Sequence, residues 1–203
     1  MVKIKICGNT SVEDALLAVG EGADALGFIF YRKSPRFVAE KTVKSIVAQL
    51  PPFVETVGVF VDESVERVNR IAQACRLDAV QLHGEESPAY CGKMRKKTIK
   101  AFRVKGADVL DALGRYRVAG FLLDAYVEDL PGGTGKTCDW EIVRRAREFG
   151  PVILAGGLTP ENVAEAARRA GPYGVDVCSG VERSPGKKDP ARVRAFIRAA
   201  RGV

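Results

Sequence analysis

The stretch KIKICGNTS, residues 3–11, carries the pattern from which the fold is predicted. A strand-like run over residues 3–7 ends in Cys7, and Gly8 and Ser11 follow before a helix-like stretch begins. Ser11 is suited to the N-cap of that helix, because a serine hydroxyl accepts a hydrogen bond from a free N–H of the first turn. One strand, a tip with a reactive group and one helix therefore form the first unit.

The same unit recurs along the whole chain. The second helix, for example, is predicted from apolar residues at helical spacing, positions 43, 46, 47 and 50, and is expected to end at Pro51-Pro52. Alternating strands and helices predict right-handed crossovers and a parallel sheet. The predicted strands are residues 3–7, 25–30, 55–61, 79–82, 98–104, 120–123, 151–155 and 174–178.

Eight such units in 203 residues favour a single-domain (β/α)8 TIM barrel of the α/β class over residues 1–203, with a closed parallel sheet. An open doubly wound sheet is the alternative, and the number of units does not exclude it. The dinucleotide-binding version loses weight because no Gly-x-Gly-x-x-Gly follows the first strand. In a barrel, the carboxyl ends of all strands open onto one face, so residues distant in sequence share one site.

Composition excludes several classes of protein. A hydrophobic content of 46% with 28% charged residues is typical of a globular domain. Met1 runs directly into a strand-like segment and no apolar run approaches the roughly 18 residues of a membrane span, so we expect a cytoplasmic protein without a membrane partner. Five widely spaced cysteines argue against a disulfide framework. A single histidine, His83, leaves little ligand supply for zinc, and we expect no metal.

The formal net charge of +7 raises the question of nucleic-acid binding. The basic residues are scattered over helix-like stretches, and the densest run, residues 93–97, lacks interleaved aromatic residues. We therefore expect an anionic small-molecule substrate and no nucleic acid. The alternative from a different class is a basic, non-catalytic binding module, which predicts salt-sensitive nucleic-acid binding and indifference to the loss of Cys7.

Two reactive side chains stand at predicted strand ends. Cys7 ends the first strand and Asp124 follows the sixth, so that a barrel would place them across its mouth from each other. A base and an acid on either side of a substrate can move a proton between carbons. Each residue also has an ordinary structural role open to it, Cys7 as a small buried residue and Asp124 as a turn cap.

Glycines follow the last two predicted strands. Gly156 and Gly157 come after the seventh strand, and Ser179 and Gly180 come after the eighth. Glycine lets backbone N–H groups approach an anion closely, and barrels often build a phosphate site from these two loops. The pair of loops predicts phosphate binding, although each glycine could also serve only a tight turn.

Arg36 and His83 are the remaining candidates for substrate binding. Arg36 lies in the loop after the second strand, where its guanidinium could bind a carboxylate through two parallel hydrogen bonds or remain a solvated charge. His83 follows Gln81 on an alternating strand, so both side chains are expected to point the same way. His83 would then line the pocket, or stand as a hydrogen-bonded barrel histidine.

Taken together, these segments resemble the phosphoribosylanthranilate isomerase family of tryptophan biosynthesis. They span essentially the whole chain in the family's order. The motifs are Lys5-Ile6-Cys7-Gly8, Ser34-Pro35-Arg36, Gln81-Leu82-His83-Gly84, Gly132-Gly133-Thr134-Gly135-Lys136, the run from Leu154 to Val163, and the run from Gly174 to Glu182.

The resemblance implies a (β/α)8 barrel that performs an Amadori rearrangement on N-(5'-phosphoribosyl)anthranilate without a cofactor or metal. Asp124 would be the general acid that protonates the ribose ring oxygen, and Cys7 the general base that removes the proton from C2′. Arg36 would hold the anthranilate carboxylate. The phosphate would be held by backbone groups around Gly156, Gly157, Ser179 and Gly180.

Three points remain open in the resemblance. Cys178 stands where the family more often has serine, beside the predicted phosphate loop. Both monomers and dimers fit the family, so a homodimer is one expectation. Another phosphosugar isomerase of the same barrel type is the nearest alternative enzyme.

Overall fold

The computed structural model describes residues 1–104, 106–124 and 140–203. Parallel strands close into a barrel in chain order, and β8 pairs with β1 to complete it. The predicted (β/α)8 barrel is confirmed, and the open sheet is excluded. The barrel strands are β1 Lys3–Ile6, β2 Ala25–Ile29, β3 Glu55–Phe60, β4 Ala79–Leu82, β5 Lys97–Arg103, β6 Gly120–Asp124, β7 Val152–Ala155 and β8 Gly174–Val177.

Helices connect the strands on the outside of the barrel. The predicted N-cap is confirmed, because the hydroxyl of Ser11 accepts a hydrogen bond from the backbone N–H of Asp14 at 3.2 Å. The helices are α1 Val12–Gly20, α2 Glu40–Val47, α3 Val65–Ala74, α4 Pro88–Cys91, α5 Asp108–Leu113, α6 Trp140–Ala146, α7 Val163–Ala170 and α8 Pro190–Arg201.

The expected end of the second helix is wrong. Helix α2 ends at Val47, and Leu50 lies beyond it. The backbone N–H groups of Gln49 and Leu50 donate to carbonyls three residues back, at 2.9 and 3.3 Å, so the chain tightens into turns there. Proline disfavours the helical conformation in the residue before it, which explains why the helix unwinds ahead of Pro51-Pro52.

The apolar core forms two layers. The larger layer lies between the barrel and the helices, where α3 contributes Val68, Ile71 and Ala72. Cys75 also belongs to this layer, with 1% exposure, and is a buried residue of the core. A smaller cluster fills the barrel itself, and its buried members are Ala101, Leu122 and Ala155.

Buried ion pairs complete the barrel. Lys5 Nζ donates to Asp176 Oδ1 at 2.9 Å. Nearer the carboxyl ends, Lys100 Nζ donates to Glu86 Oε2 at 3.0 Å and to the carbonyl of Gly84 at 2.7 Å. Because a buried ammonium is costly without partners, these contacts satisfy Lys100 and fasten the loop after β4 to β5.

A short antiparallel hairpin follows β8 and was not predicted. Its strands are β9 Glu182–Ser184 and β10 Lys187–Lys188. The hairpin lies outside the barrel sheet, but it brings Lys188 into the interior, where this lysine is 1% exposed. Within the described ranges, no helix has both the length and the apolar character required to cross a membrane.

Two lysines of β5 form ion pairs that differ in burial, and we expect the buried pair to contribute more to stability. The Lys100–Glu86 pair has side-chain exposures of 3% and 2%, whereas Lys97 pairs with Glu55 at exposures of 66% and 41%. Lys100→Met should lower the free energy of unfolding by about 3–5 kcal/mol, because it leaves a buried carboxylate uncompensated. Lys97→Met should cost under about 1 kcal/mol.

Urea denaturation of both variants beside the wild type measures the difference. Equal losses of stability in the two variants would contradict the expectation that the buried Lys100–Glu86 pair contributes more than the exposed Lys97–Glu55 pair.

Candidate active site

The carboxyl ends of the barrel strands gather the predicted site residues at one end of the molecule. Cys7 directly follows β1, His83 follows β4, and Asp124 is the last residue of β6. Between Cys7 and Asp124 around the barrel lie β7 and β8, whose following loops carry the glycines. The predicted convergence of these side chains on one mouth is therefore borne out by the barrel topology.

Cys7 lies in a confined space at the junction of β1 and β8. Its backbone N–H donates to the carbonyl of Val177 at 2.8 Å, and its side chain is buried, with 5% of the residue exposed. Gly27 on β2 leaves room for the thiol, since a Cβ there would lie 2.6 Å from Cys7 Sγ. On the other side stands Cys178, the residue after Val177.

The surroundings of Cys7 favour its thiolate. A hydrogen bond from the Cys178 thiol lowers the pKa of Cys7, burial raises it, and the positive charge of Lys5 lowers it again, with a net value of about 6. The same hydrogen bond, together with burial, raises the pKa of Cys178. The two thiols titrate together, and the direction is that Cys7 loses its proton before Cys178 does.

Lys5 supplies its charge from inside the barrel. Burial alone would lower the pKa of Lys5, but the charges of Asp176 and Cys7 raise it above its ordinary value, so the group stays an ammonium. Asp176 is its partner at 2.9 Å. Cys7 follows Lys5 by two residues and its N–H continues the pairing of β1 with β8, so both side chains are expected on the same face of the sheet.

The side chains of His83 and Asp124 lie close together at the mouth of the barrel. His83 Nε2 lies 3.8 Å from Asp124 Oδ2, and the two side chains are 26% and 35% exposed. The expectation that Gln81 and His83 point the same way is confirmed, because Gln81 Nε2 lies 2.9 Å from His83 Nδ1. If the amide nitrogen donates in this bond, Nδ1 accepts, and the imidazole proton sits on Nε2 facing Asp124.

The glycine loops after β7 and β8 meet backbone to backbone. Gly156 and Gly157 have φ values of +95° and +64°, in the region that favours glycine. A Cβ on Gly180 would lie 1.9 Å from the carbonyl oxygen of Leu158, so only glycine fits there. Ser179 is exposed beside it and begins a 3₁₀ turn, Ser179–Val181. Both loops follow barrel strands, so they lie at the same end of the barrel as Cys7 and Asp124.

Arg36 is held by an acid that the sequence gave no role. Its Nε lies 2.9 Å from both carboxylate oxygens of Glu182, and its Nη2 lies 2.7 Å from Oε2. The alternative that Arg36 is a solvated loop charge is therefore wrong. Gly8, at φ +74°, makes room for this arrangement, since a Cβ there would lie 3.0 Å from Arg36 Cδ and 2.8 Å from Cys178 Sγ.

Sequence reasoning missed Glu182 and Lys188. Glu182 stood within a family motif without an assigned role, and Lys188 lies in a polar stretch that reads as a surface turn. No local pattern marks a buried lysine, because Lys is almost never fully buried unless it is paired. The expected motif at residues 132–136 lies outside the described residues, and so does Cys138. In the described part, no group of three or more His, Cys, Asp or Glu side chains is arranged to hold a metal ion.

Comparison with known proteins assigns the family. The profile of N-(5'-phosphoribosyl)anthranilate isomerase matches residues 4–199. The chain belongs to this family. The isomerase of Geotalea uraniireducens is 56% identical over 203 residues, which is all of both chains.

Two solved structures extend the match to three dimensions. Monomers of the dimeric phosphoribosylanthranilate isomerase of Thermotoga maritima superpose with a TM-score of 0.88 at 42% identity, over 100% of both chains. A phosphoribosylanthranilate isomerase in complex with reduced 1-(o-carboxyphenylamino)-1-deoxyribulose 5-phosphate gives the same TM-score, identity and coverage.

The thiol pair of this family member predicts a pH effect. A thiolate base is active above its pKa and loses activity as the pH falls through it. In Cys178→Ala the donor to Cys7 is lost, so the pKa of Cys7 should rise from about 6 and the acidic limb of kcat/KM should move to higher pH. Cys178→Ser keeps a hydroxyl donor and should stay nearer the wild type.

The thiol of Cys91 lies in the larger core layer, between the barrel and the helices. Cys91→Ala is therefore the control and should leave the pH profile of kcat/KM unchanged. An acidic limb that does not move in Cys178→Ala would contradict the role of the thiol pair.

Proposed function

We propose that this chain isomerises N-(5'-phosphoribosyl)anthranilate to 1-(2-carboxyphenylamino)-1-deoxyribulose 5-phosphate, the Amadori rearrangement of L-tryptophan biosynthesis. The observation that carries the proposal is the pairing, at one barrel mouth, of a cysteine favoured as thiolate with a carboxyl group on a separate strand. The family match over residues 4–199 and the solved relative that holds a reduced product analogue support it.

The proposed mechanism divides the proton transfers between two strand ends. Asp124 donates a proton to the ribose ring oxygen, which opens the ring to a Schiff base. Cys7 then removes the proton from C2′, and the resulting enolamine tautomerises to the ketone. His83, 3.8 Å from Asp124, lines the same side of the pocket as the acid. Acid and base stand apart because the two reacting atoms lie on different sides of the sugar.

The two anionic ends of the substrate suit the remaining candidates. The phosphate binds at the backbone N–H groups around Gly156, Gly157, Ser179 and Gly180, whose loops adjoin the mouth. The anthranilate carboxylate binds Arg36, whose guanidinium is fixed beside Gly8. No step of this mechanism calls for a metal or a cofactor, because the chain supplies both the acid and the base.

A homodimer through the opposite end of the barrel is also proposed. A cavity of about 670 Å³ opens there at the amino ends of the strands. Phe53 and Tyr173 line it, although they are 96% and 56% exposed, and Met1 is 91% exposed close to the start of β1. An exposed apolar group beside a cavity fits a second copy of the same surface. The Thermotoga relative of this family is described as dimeric.

Loss of either proton-transfer group should abolish turnover. Cys7→Ser and Asp124→Asn should each lower kcat by at least about 10²-fold, the usual worth of a positioned acid or base. The conversion is followed by the loss of substrate fluorescence, and circular dichroism verifies the fold. Cys91→Ala and Asp111→Asn are the matched controls on the outer helices α4 and α5.

Near wild-type activity in Cys7→Ser or Asp124→Asn would remove that residue from the mechanism. A folded wild type without turnover would instead move the function to another phosphosugar substrate.

A charged substitution at the exposed residue Phe53 tests the proposed dimer. Phe53→Glu should convert a dimer to a monomer in sedimentation velocity, because a carboxylate would have to be desolvated in the interface. Turnover should persist, since the mouth is at the other end of the barrel. Leu16→Glu, on helix α1 and 40% exposed, should leave the dimer intact. A monomeric wild type would refute the proposal.

A further inference from the structure

Glu182 is the centre of a buried charge cluster beside the proposed carboxylate site. Its side chain is 4% exposed and accepts hydrogen bonds from Arg36. Lys188 Nζ donates to its Oε1 at 3.1 Å, and the backbone N–H of Gly186 does so at 3.3 Å. Burial raises the pKa of Glu182, but the hydrogen bonds from Arg36 and the charge of Lys188 lower it below its ordinary value, so the group is a carboxylate.

The contact with Glu182 uses one edge of the Arg36 guanidinium. The bonds run from Nε and Nη2, the edge nearest the aliphatic stem. Nη1 has no hydrogen-bond partner among the described residues, so the outer edge, formed by Nη1 and the second N–H of Nη2, remains available. That edge presents two parallel donors, the arrangement that binds a carboxylate in bidentate fashion.

Lys188 fixes Glu182 in turn. Its side chain is fully buried, and besides Glu182 its ammonium donates to the carbonyls of Cys7 and Cys178, the latter at 3.3 Å. Lys188 thereby ties the β9–β10 hairpin to the ends of β1 and β8. Arg36 and Lys188 are the cations of the cluster, and Glu182 is the carboxylate that both of them contact.

We propose that Glu182 is a positioning residue for substrate binding: it fixes the plane of the Arg36 guanidinium so that the outer edge meets the anthranilate carboxylate, and Lys188 holds Glu182 in place. This inference rests on the proposed function, in which Arg36 binds that carboxylate. In this arrangement Arg36 binds two carboxylates. Glu182 binds the edge formed by Nε and Nη2, and the substrate carboxylate binds the outer edge.

For the loss of Glu182, the proposal and simple electrostatics predict opposite changes in the affinity for the substrate carboxylate. Glu182 is an anion near the site of another anion, so its removal would strengthen binding of the substrate carboxylate if charge alone mattered. If Glu182 instead holds Arg36 in place, its removal weakens binding, because the guanidinium must be ordered when the substrate arrives. Ordering one flexible side chain corresponds to a loss of about three- to tenfold in affinity.

The first test removes the charge of Glu182 and the carboxyl group of the ligand separately. Glu182→Gln and the wild type are titrated by calorimetry with reduced 1-(2-carboxyphenylamino)-1-deoxyribulose 5-phosphate and with the same compound lacking the carboxyl group. We expect Glu182→Gln to bind the carboxylated ligand about three- to tenfold more weakly and the other ligand as the wild type does. In turnover, KM should rise by more than kcat falls.

The matched control is Glu40→Gln. Glu40 accepts two hydrogen bonds from Arg70 at 2.8 and 3.0 Å, the same kind of pair on the outside of the barrel. Its loss should leave the affinity for both ligands unchanged. Equal or tighter binding of the carboxylated ligand by Glu182→Gln would overturn the proposal, as would an equal loss for both ligands.

A second variant carries the test if the unpaired Lys188 unfolds Glu182→Gln. Arg36→Lys keeps the positive charge at a position 21% exposed, but an ammonium has no second edge with two parallel donors. It should lose affinity for the carboxylated ligand nearly as far as Arg36→Met does. Wild-type affinity in Arg36→Lys would refute the two-edge arrangement. Turnover by the wild type, measured in parallel, tests the proposed function separately from this inference.

Discussion

The pairing of β1 with β8 is the constraint on which the site depends. Four residues of each strand stand in register, from Lys3 beside Gly174 to Ile6 beside Val177. This seam joins segments from the two ends of the chain, and it alone brings Cys7 next to Cys178. The same pairing sets Lys5 opposite Asp176 inside the barrel. Closure of the barrel therefore also creates the surroundings of Cys7, the proposed base.

Two buried lysines, Lys5 and Lys188, place positive charge along that seam, beside Cys7. A lone ammonium inside a barrel is destabilising, so each of these lysines has a carboxylate partner, Asp176 for Lys5 and Glu182 for Lys188. The hydrogen bond from Cys178 lowers the pKa of Cys7 most, and the charges of Lys5 and Lys188 lower it further. Perturbed groups of this kind concentrate at functional sites because stability and catalysis make opposite demands there.

The hairpin after β8 links Cys7, the proposed base, to the proposed carboxylate site. Through Lys188 it contacts the backbone of Cys7, and through Glu182 it holds Arg36. A shift of the hairpin would therefore act on proton removal and on substrate binding together. By contrast, Asp124, the proposed acid, and His83 stand at the ends of β6 and β4, away from this seam.

The sequence predicted the barrel because each unit is local. Short apolar runs mark strands, and capped stretches such as the one after Ser11 mark helices, so eight repeats and their common face follow without long-range information. The reactive residues at the strand ends, Cys7 and Asp124, were found in the same way.

What could not be predicted depends on contacts between distant segments. The burial of Lys5 and Lys188 contradicts the usual preference of lysine, and it is decided by partners up to 181 residues away. Glu182 received no role from the sequence, because its contact with Arg36 joins segments 146 residues apart. The β9–β10 hairpin is short and polar, with none of the alternation that marks a strand.

The charge state of Cys7 is the most direct test of this account. A pH titration followed by the ultraviolet absorbance of the thiolate, with Cys7→Ser as the reference, reports that group without substrate. The account predicts a transition near pH 6 that is absent from the variant. A transition near the ordinary thiol value of about 8.5 would show that the seam does not activate Cys7.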